Sequence, residues 1–463
     1  MATFDTLSAM DAQFLYWDSD RTPMNMGNLC IFEGGPLTDE QGAFKLEDVR
    51  RAIASRLHLV PRYRRKVLEV PGGFAHPVLV DDPDFDIARH VKLVALPRPA
   101  TDDVLKQTFA QLHEGMLDHG RPLWEITFIE GLDDGRVGMV QKIHHAPFDG
   151  TSTVDVMELL FDGSPEFRYV EPPPWRPEAP PDPLSLMGAK WGEQVSNLWK
   201  GMLQPPAESA PDPLGELTEA FKSLQELKQP PKTSLNGPIG PRRRFDWVQT
   251  TLTEAKRIRA LVPGCTVNDA MLAAVGGGLR ELLISRGEDV DELVLQVMVP
   301  VSLRSGLGDG AGNMVSGFVA PMPVCEADAV ERLRRLHRST KELKEGKQAV
   351  GIHRITQSAE YAPAALMAAA GRTAMQQSSF INLTVTNVPG PRRELFLLGA
   401  RMLELHPMVL IGNDITVNIA VESYVDNLSI GLAADADMNP DLPVLRDGIR
   451  RSLDELLDAA SGA

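Results

Sequence analysis

The chain has 463 residues, more than one hydrophobic core usually supports, so two domains are expected. Its 43% hydrophobic and 24% charged residues are those of a globular protein, and a formal charge of −16 excludes general nucleic-acid binding, which needs clustered Lys and Arg. Three scattered cysteines (Cys30, Cys265, Cys325) give neither a disulfide framework nor a metal-ligand spacing, so core positions and no metal are expected. No apolar run is long enough to span a bilayer and Met1-Ala2-Thr3-Phe4-Asp5 lacks a secretory pattern, which points to a cytoplasmic protein.

In chain order, helices are expected over Leu46–Leu57 and Asp103–Leu117, where Val104, Leu105, Phe109, Leu112, Met116 and Leu117 recur at helical spacings. Trp124–Glu130 and Val137–His145 read as strands joined by a Gly-containing turn, a hairpin pattern, and Thr151–Phe161 as a helix. From about Glu171 to Pro241 repeated prolines exclude sheet core. This segment reads as a crossover linker whose helices, near Leu184–Met202 and Leu214–Leu227, pack on the outside. Leu186, Met187, Trp191 and Trp199 make it too apolar for a solvated tether.

Beyond it, Thr253–Leu261, Val267–Leu283 and Val330–Leu343 read as helices. Leu293–Val299, Ile381–Thr386, Ile415–Val421 and Leu428–Ala433 read as strands, and Leu445, Ile449, Leu453, Leu456 and Leu457 mark a terminal helix. The division is residues 1–170, a linker over 171–241, and 242–463. Both halves are α/β sandwiches with mixed sheets.

The segment His144-His145-Ala146-Pro147-Phe148-Asp149-Gly150 is the candidate for chemistry, although spacing alone does not establish it. Along a regular strand Val137, Met139, Gln141 and Ile143 share a face with His145, while Val140 and Lys142 bracket the side of His144. One histidine of the pair is therefore expected to face a cleft. Imidazole titrates near neutrality, so it suits taking a proton from a hydroxyl that attacks a carbonyl and returning it to a leaving thiolate. Asp149 either orients the ring or, the preferred reading, anchors the turn by pairing with an arginine or capping the next helix. Gly150 supplies a conformation or close approach that a Cβ would obstruct. An incidental histidine pair is the bland alternative; metal ligation by His144, His145 and Asp149 is a further one, with no third cluster of ligand spacing nearby.

With Pro122-Leu123-Trp124 upstream, the chain resembles the bacterial wax ester synthase/acyl-CoA:diacylglycerol acyltransferase family along nearly its whole length. Leu7 to Leu15, Phe85 to Val91, the HHxxxDG segment, Thr266-Val267-Asn268-Asp269, Pro300 to Arg304, Gly312-Asn313 and Asn387 to Pro391 follow in the family's order. HHxxxDG alone also marks peptide-synthetase condensation domains; the ordered set is more specific. Met24-Asn25-Met26-Gly27 and Pro147-Phe148 depart from the usual pattern.

The resemblance implies two chloramphenicol-acetyltransferase-like domains, each a mixed sheet flanked by helices, with the active site at their interface. It implies His145 as general base, His144 as support, Asp149 and Gly150 as keepers of the motif's geometry, and Arg304 as a partner for Asp149. Asn268 either polarises the reacting groups or caps a helix. Acyl-CoA is implied as a substrate with no cofactor, and diacylglycerol or a long-chain alcohol as acceptor, with peripheral contact at a membrane or lipid droplet. Acyl length and substrate-binding residues are not set by these motifs. The competing readings are a condensation-type transferase with a carrier-linked donor and a non-catalytic lipid-binding relative.

Overall fold

The computed structural model describes residues 4–73, 75–148, 150–192, 229–302, 315–345, 380–412 and 414–462. After β1 (Asp5–Thr6), the Ser8 hydroxyl accepts the Asp11 amide and starts α1 (Ala9–Trp17). Next come β2 (Asn25–Phe32), α2 (Leu46–Arg56), β3 (Arg65–Leu68), β4 (Val78–Asp81), α3 (Ile87–His90) and β5 (Val91–Ala95). Thr101 caps α4 (Asp102–His113), which stops at His113 rather than Leu117 because Gly115 turns to a φ of +74°. The expected hairpin forms as β6 (Trp124–Glu130) and β7 (Val137–His144), followed by α5 (Gly150–Leu160).

In the proline-rich segment residues 183–192 are helical, and Leu186 is buried against Val78 and Val80, on the outside of the small sheet β1-β4-β3. Residues 193–202 of the first expected linker helix, Trp199 with them, and all of Leu214–Leu227 lie outside the described residues. The second half contributes β8 (Arg243–Thr251), α6 (Leu252–Arg259), α7 (Val267–Ser285), β9 (Val294–Ser302), β10 (Val315–Pro323) and α8 (Ala329–Glu345). β11 (Leu383–Val388), β12 (Phe396–Leu397), β13 (Ala400–Met408), β14 (Val417–Tyr424), β15 (Asn427–Asp435) and α9 (Leu442–Gly462) complete it. Reciprocal capping boxes, Thr251 with Glu254 and Thr266 with Asp269, start α6 and α7.

Among the described residues two six-stranded mixed sheets carry the architecture, in the orders β12-β13-β2-β7-β6-β5 and β10-β9-β11-β14-β15-β8. In the first, β5 runs parallel to β6 and the other pairings are antiparallel; in the second, β11 runs parallel to both neighbours. The first sheet thus takes its last two strands from near the far end of the chain, β13 pairing with β2 from Met402 against Phe32 to Met408 against Gly27. β2 has no strand-like alternation because all eight of its residues are buried.

Behind the second sheet, α7 and α9 form the largest core cluster with Leu272, Leu279, Leu445, Ile449 and Leu453. The helices meet where a Cβ on Gly278 would stand 2.4 Å from Ile449, so only glycine permits this approach. Met26, Cys30, Trp124, Met139 and Ile143 pack together on one side of the first sheet, and Leu29, Ile31 and Val140 on the other. Cys30 and Cys265 are buried and Cys325 half-buried, none in a disulfide. Among the described residues no helix is long and apolar enough to cross a membrane.

Candidate active site

β7 lies between β2 and β6, and its end is pinned from both sides. The His144 amide donates to the Leu123 carbonyl at 3.0 Å, and the His145 amide to the Met24 carbonyl at 2.9 Å. Both contacts come from recognisable sequence blocks, Pro122-Leu123-Trp124 and Met24-Asn25-Met26-Gly27. Gly27 is required there: a Cβ on it would lie 1.7 Å from the Gln141 carbonyl oxygen.

The two imidazoles separate as strand alternation suggests. His144 is wholly buried, whereas His145, one residue past the strand, is half-buried. Phe14 of α1 stacks on the His145 ring with centroids 3.9 Å apart and planes 17° from parallel, which fixes the plane of the imidazole. Arg62 donates to the Pro147 carbonyl at 2.7 Å and Phe148 packs on Tyr63, so the turn beyond His145 is tied to the core. The Phe85-to-Val91 block acts one layer back: Phe85 stacks on His90 and His90 on Trp124, whose indole donates to the Tyr63 carbonyl.

His144 answers to a residue that the motif did not reveal. Its Nδ1 accepts the Ala146 amide at 3.0 Å, so the proton of the neutral ring sits on Nε2, 3.4 Å from the Asp18 carboxylate. The Asp18 carboxylate, with its side chain covered, accepts the Met24 amide at 2.8 Å and lies 2.9 Å from Nε2 of His119. Burial opposes ionisation of Asp18, yet the hydrogen bonds from His119 and His144 hold its carboxyl far below the usual range. Burial lowers the pKa of His144, partly countered by Asp18. The ring is therefore neutral, with its Nε2 proton facing the Asp18 carboxylate at 3.4 Å, and its role here is support. Asp18 and His119 lie outside the motif in sequence, and no block of the sequence marked either of them.

Asp18→Ala strips a partner from both imidazoles and from the Met24 amide. The expected loss is about 3 kcal/mol of stability, and displacement of His145 should lower kcat about 10- to 100-fold with little change in KM. Thermal unfolding and steady-state kinetics test this; an unchanged kcat in a destabilised variant would reduce Asp18 to a structural residue.

Asn268 is the second residue of α7, half-buried, and its Oδ1 accepts from Nδ2 of Asn387 at 3.2 Å. The cap is Thr266, whose hydroxyl takes the Asp269 amide, so the capping reading of Asn268 is corrected. With its oxygen engaged, Asn268 presents its amide N–H groups as donors. Asn387 lies in β11 opposite Val421 of β14, next to Glu422, whose carboxylate meets Asn28 on β2 beside Gln141. The second sheet is thereby joined to the histidine strand. The backbone of Gly150 begins α5; Asp149, Arg304, Gly312 and Asn313 lie outside the described residues.

Among the described residues two groups have metal-like spacing, Asp18 with His119 and His144, and Cys265 with Asp269 and His337. The first is a hydrogen-bonded clamp, because the proton on His144 Nε2 faces Asp18 where a ligand lone pair would be needed. In the second, the Asp269 carboxylate already accepts from the Thr266 amide, the Thr340 hydroxyl and His337.

Comparison with known proteins agrees with this arrangement. The profile of the wax ester synthase/diacylglycerol acyltransferase catalytic domain matches residues 7–271, and that of the WS/DGAT C-terminal domain residues 311–457. The Mycobacterium tuberculosis protein named "Probable diacyglycerol O-acyltransferase tgs1" is 31% identical over 462 residues, covering 97% of this chain and 95% of its own. Among solved structures, the wax ester synthase/diacylglycerol acyltransferase from Marinobacter aquaeolei VT8 superposes with a TM-score of 0.69 at 23% identity, over 98% of this chain and 100% of its own. The TRI3 trichothecene 15-O-acetyltransferase from Fusarium sporotrichioides shares the fold with a TM-score of 0.62 at 12% identity, over 98% and 94%. A histidine motif framed by these ordered blocks, on this two-sheet fold, places the chain in the wax ester synthase/diacylglycerol acyltransferase family of acyltransferases.

Proposed function

We propose that the protein moves a long-chain acyl group from acyl-CoA to the hydroxyl of a diacylglycerol or a fatty alcohol, with His145 as general base. The observation that carries this reading is the division between the two histidines: His144 is sealed in the clamp with Asp18, while His145 is half-buried at the strand end against Phe14. His145 takes the hydroxyl proton as the oxygen attacks the thioester carbonyl, and the resulting imidazolium protonates the departing CoA thiolate. The N–H groups of Asn268 suit an oxyanion donor in this scheme. Acyl-CoA is a substrate, and the scheme needs no cofactor. Contact with a membrane or lipid droplet would be peripheral.

The test measures CoA release from palmitoyl-CoA with dioleoylglycerol and with hexadecanol. Turnover with at least one acceptor is expected. No release with any hydroxyl acceptor would overturn the reading, and turnover only from a carrier-linked donor would favour a condensation-type enzyme.

A further inference from the structure

The strand that ends at the histidines carries a buried polar patch that the acyl-transfer scheme leaves unused. Gln141 of β7 and Asn28 of β2 are register partners, so their side chains emerge on one face of the first sheet. That face is otherwise apolar, with Met26, Cys30, Met139 and Ile143 around the pair. Glu422 of β14 reaches it from the second sheet. Oriented to satisfy both neighbours, Nδ2 of Asn28 donates to Oε2 of Glu422 at 3.1 Å and to the Gly27 carbonyl at 2.8 Å.

Two oxygens of this patch have no hydrogen-bond partner among the described residues. Nε2 of Gln141 donates to the Tyr63 hydroxyl at 3.2 Å, which leaves Oε1 unpaired on a residue only 1% exposed. Oε1 of Glu422, 6% exposed, is likewise unpaired. Burial pushes the Glu422 carboxyl up to about 8, so at neutral pH the acid is largely uncharged. Oε2 accepts from Asn28, and the proton belongs on Oε1. The patch therefore offers one unused donor on Glu422 and one unused acceptor on Gln141.

A hydroxyl is the smallest group that accepts from the first and donates to the second. A simple alkanol spends its only hydroxyl at His145 and brings nothing to the patch. We propose that Glu422 and Gln141 form a subsite for a second hydroxyl of the acceptor, so that the enzyme acylates long-chain diols in preference to the matching alcohols. This rests on acyl transfer to a hydroxyl at His145. The reaction is otherwise unchanged: the first hydroxyl forms the new O–acyl bond, the thioester C–S bond breaks, and the hydroxyl proton ends on the CoA thiol. Four residues of strand separate Gln141 from His145, about 13 Å, a span suited to diols of roughly six to twelve carbons.

The experiment compares kcat/KM for α,ω-alkanediols and 1-alkanols of equal length with palmitoyl-CoA as donor. An advantage of about tenfold for the diol is expected at some length in that range. Glu422→Met and Gln141→Met should abolish the advantage, while Glu422→Gln, which keeps a donor and an acceptor, should retain it. No diol advantage at any length overturns the subsite and leaves a patch that houses water. An advantage that survives Glu422→Met overturns it as well. Should the Met variants fail to fold, the wild-type series and Glu422→Gln still decide. If the wild type transfers to alkanols but shows no diol advantage, the subsite alone fails; if it releases CoA with no acceptor, the acyl-transfer reading falls and takes the subsite with it.

Discussion

His145→Ala is expected to lower kcat by on the order of 10² to 10⁴, because in the proposed reaction it removes the group that takes the acceptor proton and returns it to the thiolate. Stability should change little, since the ring is half-buried and the backbone bond to Met24 survives the substitution. His144→Ala should behave differently. It empties a fully buried position and leaves Asp18 short of a donor, so the loss should appear in stability together with a smaller fall in kcat. Circular dichroism melts beside single-turnover rates separate the two. Activity above about a tenth of wild type in folded His145→Ala would remove this residue from the chemistry.

Glu422→Gln is expected to stabilise the protein at neutral and alkaline pH. The wild-type carboxyl titrates at about 8 in the fold, with burial as the cause, against an ordinary value of 4.5. A group whose folded value is raised contributes its full stability below its unfolded value, and that contribution is lost as pH rises to the folded value. Over this window the wild type should lose up to about 5 kcal/mol through this group. Glutamine matches the neutral acid in shape and does not titrate, so at pH 7 the variant should be more stable by about 3 kcal/mol. Lowered histidines such as His113 and His144 push the slope the other way in both proteins and cancel in the comparison. Urea unfolding at pH 5, 7 and 8.5 gives the answer, and parallel pH profiles for the two proteins would show that Glu422 is ionised in the native state.

Much of the site was legible because its signals are local. The β6–β7 hairpin follows from apolar runs around a Gly-containing turn, and the separation of His144 from His145 follows from period-two alternation, which the packing of Val137, Met139 and Ile143 against one cluster and Val140 against another bears out. Asn268 was legible as a helix-start residue but not as a non-cap, because Thr266, Asn268 and Asp269 are all residue types that favour that position. β2 escaped notice: a strand buried on both faces and carrying Gly27, Asn25 and Asn28 shows neither alternation nor strand propensity.

By itself, then, the sequence determined the mixed α/β class, the order of the blocks and the separation of the two histidines, since these depend on neighbours a few residues apart. Tertiary structure alone decided that Asp18 and His119 clamp His144, that β13 completes the first sheet, and that Glu422 meets Asn28 beside Gln141. These contacts join residues a hundred or more positions apart, and their energy comes from burial, which no local spacing encodes. The supporting role of His144 belongs to the same class. Its fixed proton comes from the Ala146 amide and its depressed pKa from burial, while the carboxylate facing it, Asp18, directly follows α1, a helix that the HHxxxDG motif does not mention.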